Sequence, residues 1–196
     1  MRALHYLRKT PSKGLLYPAN TDFTVSAHCD ADYNGTVDER LSTTGITVDF
    51  GGALIAAISR SQKFSSKSVG EAEYGALAAC AAELLFYRQF LELMGYPQGM
   101  TGCAAGEKGS MIWSDSATAL ANAEKQVGWL SDKLKHVSNH LHFFRQYVQC
   151  GWLALCKIGS KLNRADVCTK GMDSEESFRG ALYYLVDVPR ELQEGQ

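Results

Sequence analysis

The sequence has no unbroken apolar run of the ~18 residues that a membrane-spanning helix needs, and its N-terminus has no signal-peptide pattern. The expectation is an intracellular protein, cytoplasmic or nuclear, with no membrane partner. A formal net charge of −1 rules out a global positive field, so any nucleic acid would be met by a local basic patch. The six cysteines form no CxxC pair and no His/Cys group at zinc spacing, which reads as reduced, structural thiols. Internal repeats and low-complexity segments are absent as well. What is present, 196 residues with 45% hydrophobic and 21% charged content, suits one globular domain with a sizeable core.

Along the chain, residues 2–9 have helical character and stop at Thr10-Pro11, which suggests a tail from something upstream. In FTVSAHCD, Phe23, Val25, Ala27 and Cys29 alternate with Thr24, Ser26, His28 and Asp30, as a strand requires, and Asn34-Gly35 follows as a turn. TTGITVDF and ALIAAISR flank Gly51-Gly52, a hairpin signal. From Ser68 an Ala-, Leu- and Glu-rich stretch predicts a long helix ending at Gly95. The Gly-rich residues 97–109 read as a loop. SMIWSD predicts a fourth strand, SATALANAE a short helix, DKLKHVSNHLHFFRQYVQCG one longer helix, and WLALCKI a fifth strand, with a last helix near residues 175–186. Strands that alternate with helices need crossovers, so the expected fold class is α/β: one mixed five-stranded sheet with helices packed on it.

Acidic residues stand at several strand ends: Asp30 ends the first strand, Asp115 ends the fourth and Asp166 follows the fifth by one loop. The long helix offers Glu71 and Glu73, and local rules separate them. Ser68 followed three positions later by Glu71 is a capping box, which gives Glu71 a structural task. Glu73 lies about 200° around the helix from Glu71 and shares the sheet-facing side with Ala76, Leu77, Cys80 and Leu84. A carboxylate on a buried stripe is costly unless paired or metal-bound.

Five blocks in fixed order, CDADYNGTVDERLSTTGITVDFGG, KSVGEAEYGALAACAAE, WSDSATALANAE, LKHVSNHLHFFRQYV and NRADVCTKGM, resemble the ribonuclease H domain of Ty1/copia-type retrotransposon polyproteins. The likeness extends from about Ala3 to Met172, and ALHYLRKTPSKGLLY resembles the segment linking a reverse transcriptase to that domain. It implies residues 1–20 as a connecting tail, 21–173 as a ribonuclease H-like domain with strand order 3-2-1-4-5, and 174–196 as a C-terminal helix and tail. It also implies hydrolysis of the RNA strand of an RNA–DNA hybrid, with the reverse transcriptase portion of a parent polyprotein as a further partner.

The family's metal-binding carboxylates fall on Asp30, Glu73, Asp115 and Asp166, the same four residues reached from strand ends and helix phase. The implied cofactor is a pair of Mg²⁺ ions, with Mn²⁺ as a substitute; two such ions ~4 Å apart activate water and stabilise a leaving oxygen. Asp30 would bridge the two, Glu73 and Asp115 would serve the leaving-group side, and Asp166 the nucleophile side. Asp32 shares the strand parity of Asp30 and either supports the site or caps the turn.

Lys135, His136 and His140 either approach a phosphate or form a polar helix face. Lys157, Lys161, Arg164 and Lys170 surround Asp166 as a phosphate-contacting rim or as a solvated loop. Ser116 stands where the family often has Asn, and no histidine lies between Ile158 and Asp166, which points to slow product release. A domesticated or decayed copy that binds nucleic acid or protein without catalysis is the alternative from another class. A transposase or exonuclease is a third reading, less favoured because its acids lie elsewhere on a shared scaffold.

Overall fold

The computed structural model describes residues 21–35, 41–99, 109–125 and 139–169, with scattered positions before residue 21 and only the backbone of Asn139 and His140. Five strands form one sheet: β1 (Val25–Asp32), β2 (Thr43–Phe50), β3 (Ala53–Ser61), β4 (Ser110–Ser114) and β5 (Leu153–Lys157). Their order is β3-β2-β1-β4-β5. β1, β2 and β3 pair antiparallel, whereas β4 runs parallel to both β1 and β5. This is the order expected for a ribonuclease H-like fold. The β2–β3 hairpin turns at Gly51 and Gly52, whose φ values of 57° and 83° put both in the left-handed region that favours glycine.

Helix α1 (Val69–Leu93) lies over the sheet. Its Tyr74, Leu77, Cys80, Ala81 and Leu84 meet Val25, Ala27 and Cys29 of β1, Ile46 and Val48 of β2 and Ile112 of β4 in the main core. Alternation along β1 thus delivers one apolar side per two residues to α1, as the pattern predicts. At the far end of α1, the buried Arg88 donates to Ser110 Oγ at 3.2 Å and to the carbonyls of Trp152 and Gln98 at 3.1 and 2.5 Å. It also pairs with Glu92 at 3.2 Å and lies over the Trp152 ring. The helix stops at Gly95, where φ is 89° and the Gly95 and Tyr96 amides return to the Glu92 and Leu91 carbonyls.

Shorter helices follow: α2 (Ala117–Glu124), α3 (Arg145–Gln149) and α4 (Asp166–Thr169). The single helix expected over residues 132–151 is not what forms. Among the described residues a 3₁₀ turn at Asn139–His142 precedes α3. Tyr74 supplies the reason. It hydrogen-bonds His142 Nδ1 at 2.8 Å and packs on Phe144 at 5.6 Å between centroids. Residues two apart sit about 200° apart on an α-helix, so both reach one ring only where the helix is interrupted. The expected helix at 175–186, most of the 97–109 loop and the bounds assigned to residues 1–20 and 174–196 lie wholly or largely outside the described residues.

Candidate metal centre

The parallel register between β1 and β4 brings the first two acids together. Its last pair is Cys29 with Ser114. Asp30 and Asp115 are each the next residue, so they emerge side by side where β4 ends. Contrary to expectation, β1 does not stop at Asp30; it continues along β2 as far as Asp32 opposite Thr43. Only the β4 side of the strand opens, and that opening exposes the acids to each other.

The N-terminal cap of α1 sets the phase of the third acid. Ser68 Oγ accepts from the Glu71 amide at 3.3 Å. Glu71 reaches back with its own carboxylate, but to the Lys67 amide at 2.8 Å, one residue before the reciprocal bond of a standard capping box. With Glu71 occupied in this way, Glu73 is left on the sheet side, buried at 8% exposure. Ligand oxygens of Asp30, Glu73 and Asp115 all lie within 4.8 Å of one another. Ala31, Ala72 and Ala76 pack together as a small buried cluster with Tyr33 against it, on the same stretches of β1 and α1 as the acids.

Short bonds hold the rim. Ser114 Oγ accepts from the Ser116 amide at 3.2 Å, and Ser116 caps α2 by accepting from the Ala119 amide at 3.3 Å. Ser114 and Ser116 together therefore fix the turn that carries Asp115. Lys157 Nζ donates to the Asp115 carbonyl. The Cys29 thiol, next to Asp30, is pushed well above its usual range, first by its hydrogen bond with Cys80, then by burial, and also by the charge of Glu73.

Asp166 opens α4, half-buried, and does not join the group formed by Asp30, Glu73 and Asp115. Asp32 is also outside that group; its carboxylate lies over Gly35, where a Cβ would sit 2.2 Å from Asp32 Oδ2. Arg164 pairs with the buried Asp49 at 3.3 Å, and Asp49 lies 3.5 Å from His28 Nδ1. Lys161 is exposed in a 3₁₀ turn, Ser160–Leu162. Lys135 and His136 lie outside the described residues, as does the side chain of His140.

Sequence reasoning missed several residues around the site. Asn163, buried, donates to the Cys29 carbonyl at 3.0 Å, and Thr169 donates to Asp30 Oδ2 at 2.5 Å. Gly45, opposite Asp30 across the β1–β2 ladder, lets the 165–169 segment approach, since a Cβ there would lie 2.6 Å from the Ala165 carbonyl oxygen. One signal was available. Thr169 follows Asp166 by three residues, the spacing that puts two side chains on one helix face.

Three carboxylates gathered this closely concentrate negative charge at one point. An all-oxygen donor set is what hard divalent cations such as Mg²⁺ take, and the residues present fit such an ion.

The chain is 30% identical over 167 residues to the retrovirus-related Pol polyprotein from transposon TNT 1-94 of Nicotiana tabacum, covering 85% of this chain and 12% of that protein. To the corresponding polyprotein from transposon RE2 of Arabidopsis thaliana it is 29% identical over 169 residues, with 86% and 11% covered. It therefore spans about an eighth of the length of these relatives. No protein-family model matches the sequence. Among solved structures, LC11 ribonuclease H1, isolated from compost by a metagenomic approach, aligns at 15% identity and a TM-score of 0.49, covering 82% of this chain and 99% of that one.

Proposed function

Starting from its homology to one stretch of retrovirus-related Pol polyproteins of Ty1/copia-type transposons, we propose that this chain is a divalent-metal-dependent endonuclease that cuts the RNA strand of RNA–DNA hybrids during reverse transcription. The observation that carries the proposal is the convergence of Asp30, Glu73 and Asp115 within 4.8 Å. Three acids from β1, α1 and the end of β4 converge only if strand register and helix cap both place them, and an apolar pair would stabilise the fold equally well. Asp30, Glu73 and Asp115 would hold the ion, Mg²⁺ or Mn²⁺ by their oxygen chemistry. A divalent cation there supplies Lewis-acid stabilisation of a phosphodiester and eases deprotonation of the attacking water. Asp166, on α4, would add a fourth carboxylate to the set were a second ion bound. Residues 21–173 would form the catalytic unit, 1–20 a connecting tail from the reverse transcriptase, and 174–196 a C-terminal helix and tail.

Recognition of the RNA strand follows from the 2′-hydroxyls displayed in the wide minor groove of the hybrid, which duplex DNA lacks. Exposed Lys161, with Lys135, His136 and His140, supplies phosphate contacts, whereas Arg164 is engaged by Asp49.

The experiment is incubation of the purified chain with end-labelled hybrid, single-stranded RNA and duplex DNA in Mg²⁺. Cutting confined to the RNA of the hybrid is expected, and Asp115→Asn is expected to lower the rate by about 10²–10³, the usual size of a lost electrostatic stabiliser. Hybrid binding without cutting in either Mg²⁺ or Mn²⁺ would make the chain a non-catalytic binding module. Equal cutting of duplex DNA would favour a transposase-like activity.

A further inference from the structure

The segment Asn163–Thr169 is fastened to β1 and β2 at several points. Asn163 Nδ2 donates to the Cys29 carbonyl at 3.0 Å and its Oδ1 accepts from the Ala165 amide at 3.2 Å. Arg164 reaches Asp49 on β2 at 3.3 Å. The Ala165 carbonyl and the Thr169 methyl both crowd Gly45, each 2.6 Å from where a Cβ would stand. These anchors leave Thr169 facing Asp30. Its hydroxyl has one proton and two acceptors in range, Asp30 Oδ2 at 2.5 Å and the Asp166 carbonyl at 3.1 Å. Asp30 Oδ2 is the nearer of the two acceptors.

We infer that Thr169 is a positioning residue for the metal centre: its hydroxyl holds one oxygen of Asp30 so that the carboxylate cannot rotate and stays aimed at the point shared with Glu73 and Asp115. This inference rests on the reading of Asp30 as a cation ligand. Asp30 is 3% exposed, so water cannot take over the hydroxyl's place. A carboxylate free to turn about its Cβ–Cγ bond must be re-ordered each time an ion enters, and the cost appears as weaker metal binding. Outer-shell partners of this kind typically contribute 10- to 100-fold in metal affinity or activity. Thr169 also ties the site to α4, because the same four-residue helix begins with Asp166. The hydroxyl therefore fixes where Asp166 stands relative to Asp30.

The test is Mn²⁺ titration by calorimetry on wild type, Thr169→Val, which replaces the hydroxyl with a methyl of similar size, and Thr169→Ser, which keeps the hydroxyl and drops the methyl. Thermal melts without metal accompany each titration, as does the Mn²⁺ dependence of hybrid cleavage. Thr169→Val should bind Mn²⁺ about tenfold more weakly and need correspondingly more Mn²⁺ for half-maximal cleavage, with its rate at saturating Mn²⁺ changed much less. Thr169→Ser should return to within about threefold of wild type. Should Thr169→Val match wild type in affinity, or Thr169→Ser lose as much affinity as Thr169→Val, the hydroxyl has no positioning role and the inference fails on its own. If Thr169→Val does not fold, the Ser variant decides alone: a tenfold loss of affinity in a folded Ser variant overturns the inference. A wild-type chain that neither binds Mn²⁺ nor cleaves hybrid overturns the proposed function, and the inference with it.

Discussion

Helix α1 buries a charge near each end, and the two ends treat it differently. Arg88, about four turns beyond Glu73, is met by the Ser110 hydroxyl, two backbone carbonyls, the Glu92 carboxylate and the face of Trp152. Burial lowers its pKa, yet Glu92 opposes the shift and the cation is balanced from within the chain. Glu73 is instead brought within 4.8 Å of two more carboxylates. One end of the helix uses a buried charge to join α1 to β4, to Trp152 just before β5 and to the following loop. The other end concentrates negative charge where the sheet opens, an arrangement that a bound cation would relieve and that no packing argument requires.

The largest expected effect comes from breaking the balanced end. Arg88→Ala leaves the Trp152 and Gln98 carbonyls and Glu92 without their donor, and should cost about 3–5 kcal/mol in urea unfolding, as removal of one partner from a buried charged network does. Glu73→Gln, at the other end, should cost nothing without metal, because it removes one of three crowded negative charges. Equal losses would erase the distinction between the two ends.

Beside Glu73, the buried phenol of Tyr74 sharpens the comparison through pH. Burial raises its pKa from 10.0 to about 12, with Arg145 opposing. A raised folded-state value means that the stabilisation is complete below pH 10 and is lost as pH climbs from there toward 12. The loss should reach roughly 2–3 kcal/mol in unfolding measured across that range. Tyr74→Phe should flatten the profile; an unchanged profile would mean that another group governs it.

Gly45→Ala inserts a methyl against the Ala165 carbonyl and Thr169. It should cost about 1–3 kcal/mol, as overpacking does, and displace the segment that holds Asp30. A crystal structure of the variant with Thr169 unmoved from Asp30 would contradict this. The smallest effect belongs to the cap: Ser68→Ala removes the bond to the Glu71 amide and should cost about 1 kcal/mol in the same unfolding assay.

Glu73 could be separated from Glu71 in the sequence because a capping box is local and fixes helix phase within one turn. Asp30 and Asp115 were legible as strand ends, although their adjacency depends on a parallel register that no local pattern encodes. The interruption before α3 was hidden because it arises from Tyr74, some 70 positions away in sequence, gathering His142 and Phe144. The engagement of Arg164 by Asp49 and of Asp30 by Thr169 was hidden for the same reason: each joins the last described segment to β1 or β2 across more than 100 residues.

The central claim is that Asp30, Glu73 and Asp115 form a cation site assembled against their mutual repulsion. It is tested most directly by melting wild type, Glu73→Gln and Asp115→Asn in chelator and in Mn²⁺. Each single neutralisation should raise the melting temperature in chelator by relieving repulsion, while Mn²⁺ should raise that of wild type strongly and those of the variants little. A wild type indifferent to Mn²⁺, or variants that respond to it as wild type does, would contradict the claim.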